Sequence, residues 1–257
     1  QNKFMWTGDY AFLLRQLIMK DFKIRYRNMS LGVFWSLLNP LVMMVVYTYV
    51  FSRIFKSAIP HFNVHLLSAL IPFNFFTVAW ITSTSSLLDN AALIKRIPIR
   101  REIIVVSSIL SNMTHLVIQL GLLLIFVYAA GLSINANWLW LPLVWGLELV
   151  FLIGLGLACA SMNLFVRDVR YVVESLALIL FWIVPIIYTF DMVPQDLKDL
   201  YQYNPVAALV LATHNVILRD QAPTNILLTK LAGVSVLSLI LGVLIFRRAE
   251  PHFYEHL

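Results

Sequence analysis

The chain has 257 residues, of which 60% are hydrophobic and only 12% charged, and its net charge is +6. Because a soluble domain holds about 25% charged residues, this composition excludes an ordinary soluble enzyme and predicts an integral membrane protein. The basic residues are scattered over several predicted membrane-edge loops, so we expect no nucleic-acid partner.

The first predicted element is a basic amphipathic helix over residues 4–27. Its apolar and basic residues fall on different helical faces: Tyr10, Leu14, Leu17 and Ile18 on one, and Lys20, Lys23 and Arg27 on the other. This pattern is typical of a helix at a membrane interface, and we assign residues 1–30 to a cytoplasmic interface region. The alternative is a solvated basic end that obeys the positive-inside rule.

Six apolar runs follow, each near the length of about 20 residues that a membrane span needs. Each run must satisfy its own backbone hydrogen bonds in lipid, so we predict helices; strands of a membrane barrel would alternate over ~10 residues. The expected fold is therefore an all-α polytopic membrane protein. Its six transmembrane helices are predicted at 32–55, 63–88, 103–130, 138–165, 172–190 and 226–246.

The distribution of Lys and Arg predicts the orientation. Fourteen of the 19 lie in four segments, namely 1–30, 89–102, 167–174 and 247–257. The positive-inside rule places these segments, and with them both termini, in the cytoplasm.

The loop between spans two and three is basic but keeps apolar residues. A short amphipathic helix over 93–101 that docks into a groove on a cytoplasmic partner explains this combination. The alternative is a loop that lies on lipid headgroups. The docking residues are predicted to be Ile94, Lys95, Arg96, Ile97, Pro98, Ile99 and Arg100.

Polar residues inside the spans mark a second group of candidates. Span three carries a polar stripe that we expect to face other helices or a pore; it consists of Ser108, Ser111, Asn112, His115 and Gln119. Glu148 is an intramembrane carboxylate and therefore a functional candidate by default. The small residues from Gly154 to Ser161 predict close helix packing, and the single Cys159 excludes an internal disulfide.

Aromatic residues form two stripes that suit sugar binding, because sugars present C–H faces to aromatic rings. Tyr47 and Phe51 are i, i+4 neighbours on span one, and Phe181, Pro185 and Tyr188 share a stripe on span five. The family resemblance given below implies a dimer, and under it we expect both stripes to face the translocation path. The alternative is that these rings face lipid or pack between helices.

The segment 191–225 combines several Asp residues with an apolar run, 206–212, that is too short to cross a membrane. An apolar run of this length must return to the side it left. We therefore predict two short gate helices within 194–219 that enter the outer leaflet and come back, with Asn204-Pro205 as the turn. The alternative, a soluble external cap, would expose the apolar run to water.

Several catalytic motifs are absent from the sequence. It contains no Gly-x-x-x-x-Gly-Lys-Ser/Thr phosphate loop, no Cys/His cluster with metal spacing and no Gly-x-Ser-x-Gly elbow. The chain therefore cannot itself be an ATPase of the phosphate-loop kind. Its basic segment at 25–27 leads after a short polar turn into an apolar run, which is how a transport subunit begins, so we expect a transport subunit without its own cofactor and not an enzyme.

Four motifs in order resemble one family over nearly the whole chain. They are Arg25-Tyr26-Arg27 with Ser30-Leu31-Gly32, Trp35, Leu38 and Pro40; Ser86-Leu87-Leu88 with Asn90 and Leu93 to Pro98; Phe165 to Val169; and Pro185 to Tyr188 followed by Tyr203-Asn204-Pro205. The chain resembles the membrane subunit of an ABC-2 type exporter, in the branch that moves lipid-linked O-antigen, capsule or teichoic acid. Ile97 departs from this pattern, where the family often has Phe.

The resemblance implies a homodimer that works with two copies of a separate ATP-binding subunit, which holds ATP and Mg²⁺. It implies an interface helix at 4–27, a coupling helix near 93–101 and outer gate helices near 194–219 in the bacterial inner membrane. The substrate would be a glycan on undecaprenyl pyrophosphate. Arg25 and Arg27 are suited to its phosphates, because Arg binds phosphate with two donors; headgroup anchoring is the alternative.

Two other classes of protein stay open at this point. One is a membrane enzyme acting on lipid-linked sugars, with His115, Glu148, Arg167 and Asp168 as its candidate groups. The other is a proton-coupled carrier that uses Glu148.

Overall fold

The computed structural model describes residues 10–27, 32–56, 59–96 and 99–253, with the side chains of Arg25 and Val33 outside the description. Regular structure in these residues is helical. The helices are α1 Tyr10–Tyr26, α2 Trp35–Tyr49, α3 Phe62–Asp89, α4 Ala91–Arg96, α5 Glu102–Ala129, α6 Trp140–Phe165, α7 Val169–Ile183, α8 Gln195–Tyr203, α9 Pro205–Leu218 and α10 Asn225–Ala249. A π-helical turn, Val50–Ile54, extends α2.

Five helical segments in the described residues are long and apolar enough to cross a membrane. They are Trp35–Ile54, Phe62–Asp89, Glu102–Ala129, Ala136–Phe165 and Asn225–His252. Each coincides with one of the predicted runs, so the all-helical, multi-pass fold is confirmed.

The structure differs from the sequence-based expectation at the fifth predicted span, 172–190. Helix α7 has 15 residues and is about 22 Å long, shorter than the ~30 Å hydrocarbon core. It ends at Ile183, because Val184 is extended and Pro185 follows it, where a proline ring disfavours helical backbone in the preceding residue. The six-span arrangement therefore stays a prediction.

Helix α3 is the centre of the bundle and packs against α2, α5, α6, α7 and α9. Helices α6 and α10 make the closest pair. A Cβ on Gly154 or on Gly242 would overlap the backbone of the opposite helix, and Ser238 Oγ donates to the Phe151 carbonyl over 3.1 Å. The small residues of α6 therefore allow the backbones to approach, as in other membrane helix pairs.

Two short helices, α8 and α9, fill much of the predicted gate segment 194–219, and the chain breaks between them at Asn204-Pro205. Asn204 Oδ1 accepts hydrogen bonds from the backbone of Val206 over 3.0 Å and of Ala207 over 3.4 Å, which is an N-cap with Pro at the first helical position. Helix α9 is buried from Val206 to His214. Whether these helices act as a gate stays a prediction.

Helix α1 runs alongside the first half of α5. Tyr10, Ala11 and Leu14 lie beside Glu102, Ile103 and Val106, and the hydroxyl of Tyr26 lies 2.5 Å from Nδ1 of His115. These contacts span about 20 Å of α5. A helix lying flat across the end of the bundle would touch a shorter stretch of α5. Helix α1 therefore runs along α5, and its two ends lie at different depths.

Helix α2, which belongs to the first candidate span, starts beside a point much further along α5. Gln119 Nε2 donates to the backbone oxygen of Ser36 over 2.8 Å, so α2 begins beside a residue about 25 Å from the start of α5. The first half of α5 thus extends beyond the start of α2, and α1 covers this extension.

Candidate functional site

The predicted docking loop is fastened to α1. Lys20 Nζ donates to Asn90 Oδ1 over 2.6 Å, and the guanidinium of Arg100 lies 5.3 Å from the centre of the Tyr10 ring. Lys20, which the sequence placed on the basic face of α1, thus reaches the loop while its side chain stays 41% exposed. A force applied to this loop would reach α1 directly.

The apolar residues of this loop face the chain's own core. Ile94 is 2% exposed and Ile99 is 8% exposed, which corrects the expectation that a partner protein buries them. Lys95, Arg96 and Arg100 are exposed instead, so the surface offered to a partner is basic. The predicted docking residues Ile97 and Pro98 lie outside the described residues.

The predicted phosphate ligands lie at the end of α1. The side chain of Arg27 is exposed, which leaves its guanidinium accessible, and the side chain of Arg25 lies outside the description. Tyr26, between them, turns inward to His115, and their rings are 5.4 Å apart. The end of α1 is thereby tied to the polar stripe of α5.

That polar stripe lines a cavity of about 260 Å³ between α1, α2, α3 and α5. Asn112, His115 and Gln119 form one wall, while Ser111 Oγ bonds within its own helix, to the Ser108 carbonyl, over 2.8 Å. The other walls carry Trp35, Asn39, Asn74 and Phe75. Neither Asn39 nor Asn74 was a predicted site residue, although amides inside apolar runs are a usable signal.

The predicted aromatic stripes meet within one chain. The rings of Tyr47 and Phe181 stack at 5.8 Å, and Phe181 meets Phe73 edge-on at 5.7 Å. Phe51 packs on Phe62 at 6.0 Å. The cluster joins α2, α3 and α7, so at least part of each ring is used in packing.

Tyr188 does not join this cluster. Its hydroxyl contacts the Ile183 carbonyl and lies 3.3 Å from the hydroxyl of Tyr201 on α8. The non-helical segment after α7 is thereby tied to the short helices α8 and α9.

A second cavity, of about 480 Å³, lies where the start of α3 meets α9 and the loop before α8. His65 and His214 line it with their rings stacked at 4.2 Å. His214 Nε2 lies 3.0 Å from the His65 carbonyl and is therefore the donor of that bond. Arg219 and Asp191 form an ion pair of 3.0 Å at this cavity. The pairing of His65 with His214 was not found in the sequence, because the two residues are far apart in the chain.

The four groups proposed for an enzyme are not brought together. His115 lines the cavity between α1, α2, α3 and α5, which we call the α5 cavity. Glu148 is buried on α6, and neither carboxyl oxygen has a hydrogen-bond partner in the described residues. Arg167 and Asp168 are exposed at the turn between α6 and α7. A catalytic site needs its groups within reach of one substrate atom, so this arrangement argues against a catalytic site made of these four groups.

A comparison with known protein families gives a match from the start of α1 to the end of α9. The sequence profile of the ABC-2 type transporter family covers residues 13–218. The chain belongs to this family. The matched residues include most of α1, the predicted docking loop, both aromatic stripes and the two short helices.

Individual relatives align over almost the whole chain. An O-antigen export system permease protein RfbA of Klebsiella pneumoniae is 27% identical over 255 residues, 98% of each chain. The protein of the same name from Myxococcus xanthus is 26% identical over 96% of each chain. The polysialic acid transport protein KpsM of Escherichia coli is 23% identical over 91% of this chain and 92% of its own length.

Proposed function

We propose that this chain is the membrane permease subunit of an ATP-driven ABC exporter. Its cargo would be a polysaccharide linked to undecaprenyl pyrophosphate, with O-antigen as the first choice, moved from the cytoplasmic side outward across the bacterial inner membrane. The observation that carries this proposal is the end-to-end similarity to O-antigen export permeases. The dispersed polar groups of the structure support transport over catalysis.

The proposed exporter contains two copies of this chain and two copies of an ATP-binding subunit. The ATP and Mg²⁺ are held by that subunit, because this chain has no phosphate loop. The basic edge formed by Lys95, Arg96 and Arg100 would dock it in the cytoplasm, together with both termini.

The two copies would face each other through α2 and α7. Helix α2 buries only Pro40 and Met44 in the single chain, and its other residues are exposed or half-buried. Helix α7 buries only Val173 and Ala177.

Helix α7 is too short to span by itself, so we propose that residues 184–190 complete span five. Irregular backbone at membrane depth needs protein or water around it, not lipid, and Val184, Ile186 and Ile187 are buried inside this chain, which meets that need. The proposed dimer face therefore rests on the exposed residues of α2 and α7.

In this scheme Arg25 and Arg27 hold the pyrophosphate, and Tyr47, Phe51, Phe181 and Tyr188 guide the glycan. Helices α8 and α9 close the outer end.

Deletion and complementation test the proposal. Removing the gene should abolish surface O-antigen and leave lipid-linked glycan inside the cell, and the intact gene should restore export only together with its ATP-binding subunit. Co-purification of that subunit with the tagged chain is the direct measurement. Restoration without any ATP-binding subunit would contradict an ABC exporter.

A second candidate cargo is capsule, because the similarity extends to a polysialic acid transport protein; teichoic acid is the third choice in the same family. Expressing the chain in strains that lack either an O-antigen or a capsule permease, and staining the surface for each polymer, decides between them.

A further inference from the structure

The α5 cavity has the composition of a sugar site. Its lining includes amide, aromatic and other polar side chains, namely Tyr26, Trp35, Asn39, Asn74, Phe75, Asn112, His115 and Gln119. We propose that it binds the sugar unit next to the carrier pyrophosphate while the substrate waits on the cytoplasmic side. This inference rests on the proposed function and names the part of the substrate that the permease itself recognises.

Two amides in this cavity are available to a ligand. The structure records no side-chain hydrogen bond to Asn39 or Asn74 within the described residues, and both border the cavity. Asn39 is exposed and Asn74 is half-buried. Polar side chains in membrane helices normally find partners or face a polar path, so two amides without one indicate an occupant that forms hydrogen bonds.

The aromatic residues of the cavity supply the complementary surface. Trp35 and Phe75 line it, and Trp35 is 48% exposed. Amides donate to and accept from hydroxyl groups, and aromatic rings pack on the C–H faces of a pyranose. A volume of about 260 Å³ is below the ~300–1,000 Å³ of pockets for drug-sized ligands, which limits the occupant to one or two rings.

The charges favour a sugar over a phosphate in this cavity. Its described lining contains His115 but no Lys, Arg, Asp or Glu, and phosphate groups are bound by cations. Arg27 is exposed directly after Tyr26, which borders the cavity. The pyrophosphate would therefore stay outside, at Arg27, with the first sugar inside.

The depth of the cavity agrees with this arrangement. Lys23 and Arg27 are exposed on the last turns of α1, and charged side chains are costly at hydrocarbon depth. The end of α1 therefore lies at headgroup level. Since Tyr26 contacts His115 and Ser36 contacts Gln119, the cavity lies just inside this level, at the start of α2.

Two lipid probes test the inference on the exporter complex in nanodiscs. One is undecaprenyl pyrophosphate, and the other is undecaprenyl pyrophosphate carrying one N-acetylglucosamine. The readout is the probe concentration that gives half-maximal stimulation of the ATPase. In the unmodified complex the sugar-bearing probe should act at about tenfold lower concentration, as one or two hydrogen bonds and a stacked ring provide.

In Asn74→Leu and in Trp35→Leu the two half-maximal concentrations should coincide. Asn63→Leu, the same change elsewhere on α3, and Trp182→Leu, an exposed Trp on α7, are the matched controls and should keep the difference.

The possible failures are distinguishable. No stimulation by either probe in the unmodified complex would overturn the proposed undecaprenyl-linked cargo. Equal response to both probes there, or a tenfold difference that survives in both Asn74→Leu and Trp35→Leu, would overturn the sugar site and leave the proposed function standing.

Discussion

Helices α3 and α2 are both candidate membrane spans, but their surroundings are opposite. In the most apolar stretch of α3, 78% of residues are buried inside the single chain, against 11% in the span that contains α2. The chain thus has a sealed part, built on α3, α9 and the facing sides of α6 and α10. Its open part is made of α2, α7, the basic loop and the outer side of α10, whose apolar stretch is only 22% buried. A sealed helix is held by its own chain, whereas an open one needs lipid or another protein. We therefore expect changes in the sealed part to affect stability and changes in the open part to affect transport.

The largest effect is expected at the closest helix contact of the sealed part. Gly154→Ala places a methyl group against the backbone of α10, and overpacking costs about 1–3 kcal/mol. Gly146→Ala on the same helix meets nothing within 4 Å and should gain up to ~1 kcal/mol from helix propensity. The measurement is the melting temperature of the detergent-solubilised protein; equal values for the two variants would contradict the close α6–α10 packing.

In the docking loop, exposed basic residues stand directly beside a buried apolar residue. Lys95→Glu combined with Arg96→Glu should reduce export at least about tenfold, because a partner surface complementary in charge to the basic edge would now be repelled, at a cost of ~1.4 kcal/mol or more. The amount of protein in the membrane should stay the same. Ile94→Asp should instead lower that amount, since it buries an unpaired charge.

Quantitative immunoblotting and surface polysaccharide staining separate the two effects. Normal export in the double charge reversal would remove Lys95 and Arg96 from the docking surface.

The gate segment allows the same comparison by labelling. Val206 is 3% and Leu211 9% exposed, whereas the side chain of Asp199 is 89% exposed and Asp220 is also exposed. With Cys159→Ser as background, single cysteines at Val206 and Leu211 should resist a membrane-impermeant maleimide. Cysteines at Asp199 and Asp220 should react from outside the cell, and labelling at all four positions would be incompatible with a buried α9.

The open faces can be sorted by crosslinking. Val45 on α2, Ile179 on α7 and Ile240 on α10 are 59%, 52% and 52% exposed. If α2 and α7 face a second copy, single cysteines at Val45 or Ile179 should give crosslinked dimers in membranes, and a cysteine at Ile240 should not. Crosslinking at Ile240 alone would move the dimer interface to α10.

The smallest effect is expected at Arg27, which is exposed to water. Arg27→Ala should raise the half-maximal concentration of lipid-linked substrate about threefold, a fraction of the ~1.5–3 kcal/mol of a charge-assisted bond. Arg27→Lys keeps the charge but loses the two-donor geometry. If Lys behaves like Arg while Ala does not, charge alone accounts for the role of Arg27.

The sequence by itself determined the membrane class, the all-helical fold, five of the spans and the turn at Asn204-Pro205. These follow from local rules: an apolar run of about 20 residues must be a helix in lipid, and Asn followed by Pro favours a helix start. The family resemblance also followed from short motifs, and the match over residues 13–218 confirms it.

Only the tertiary structure decided which residues of each helix face the core, a cavity or the outside. Ile94 and Ile99 are apolar in sequence whether they face a partner or the chain's own core, and the fold placed them in the core. The meeting of Asn39, Asn74 and His115 in one cavity depends on how α2, α3 and α5 are staggered, which is set by side-chain packing between distant segments. Periodicity reports the face of a helix but not its neighbour.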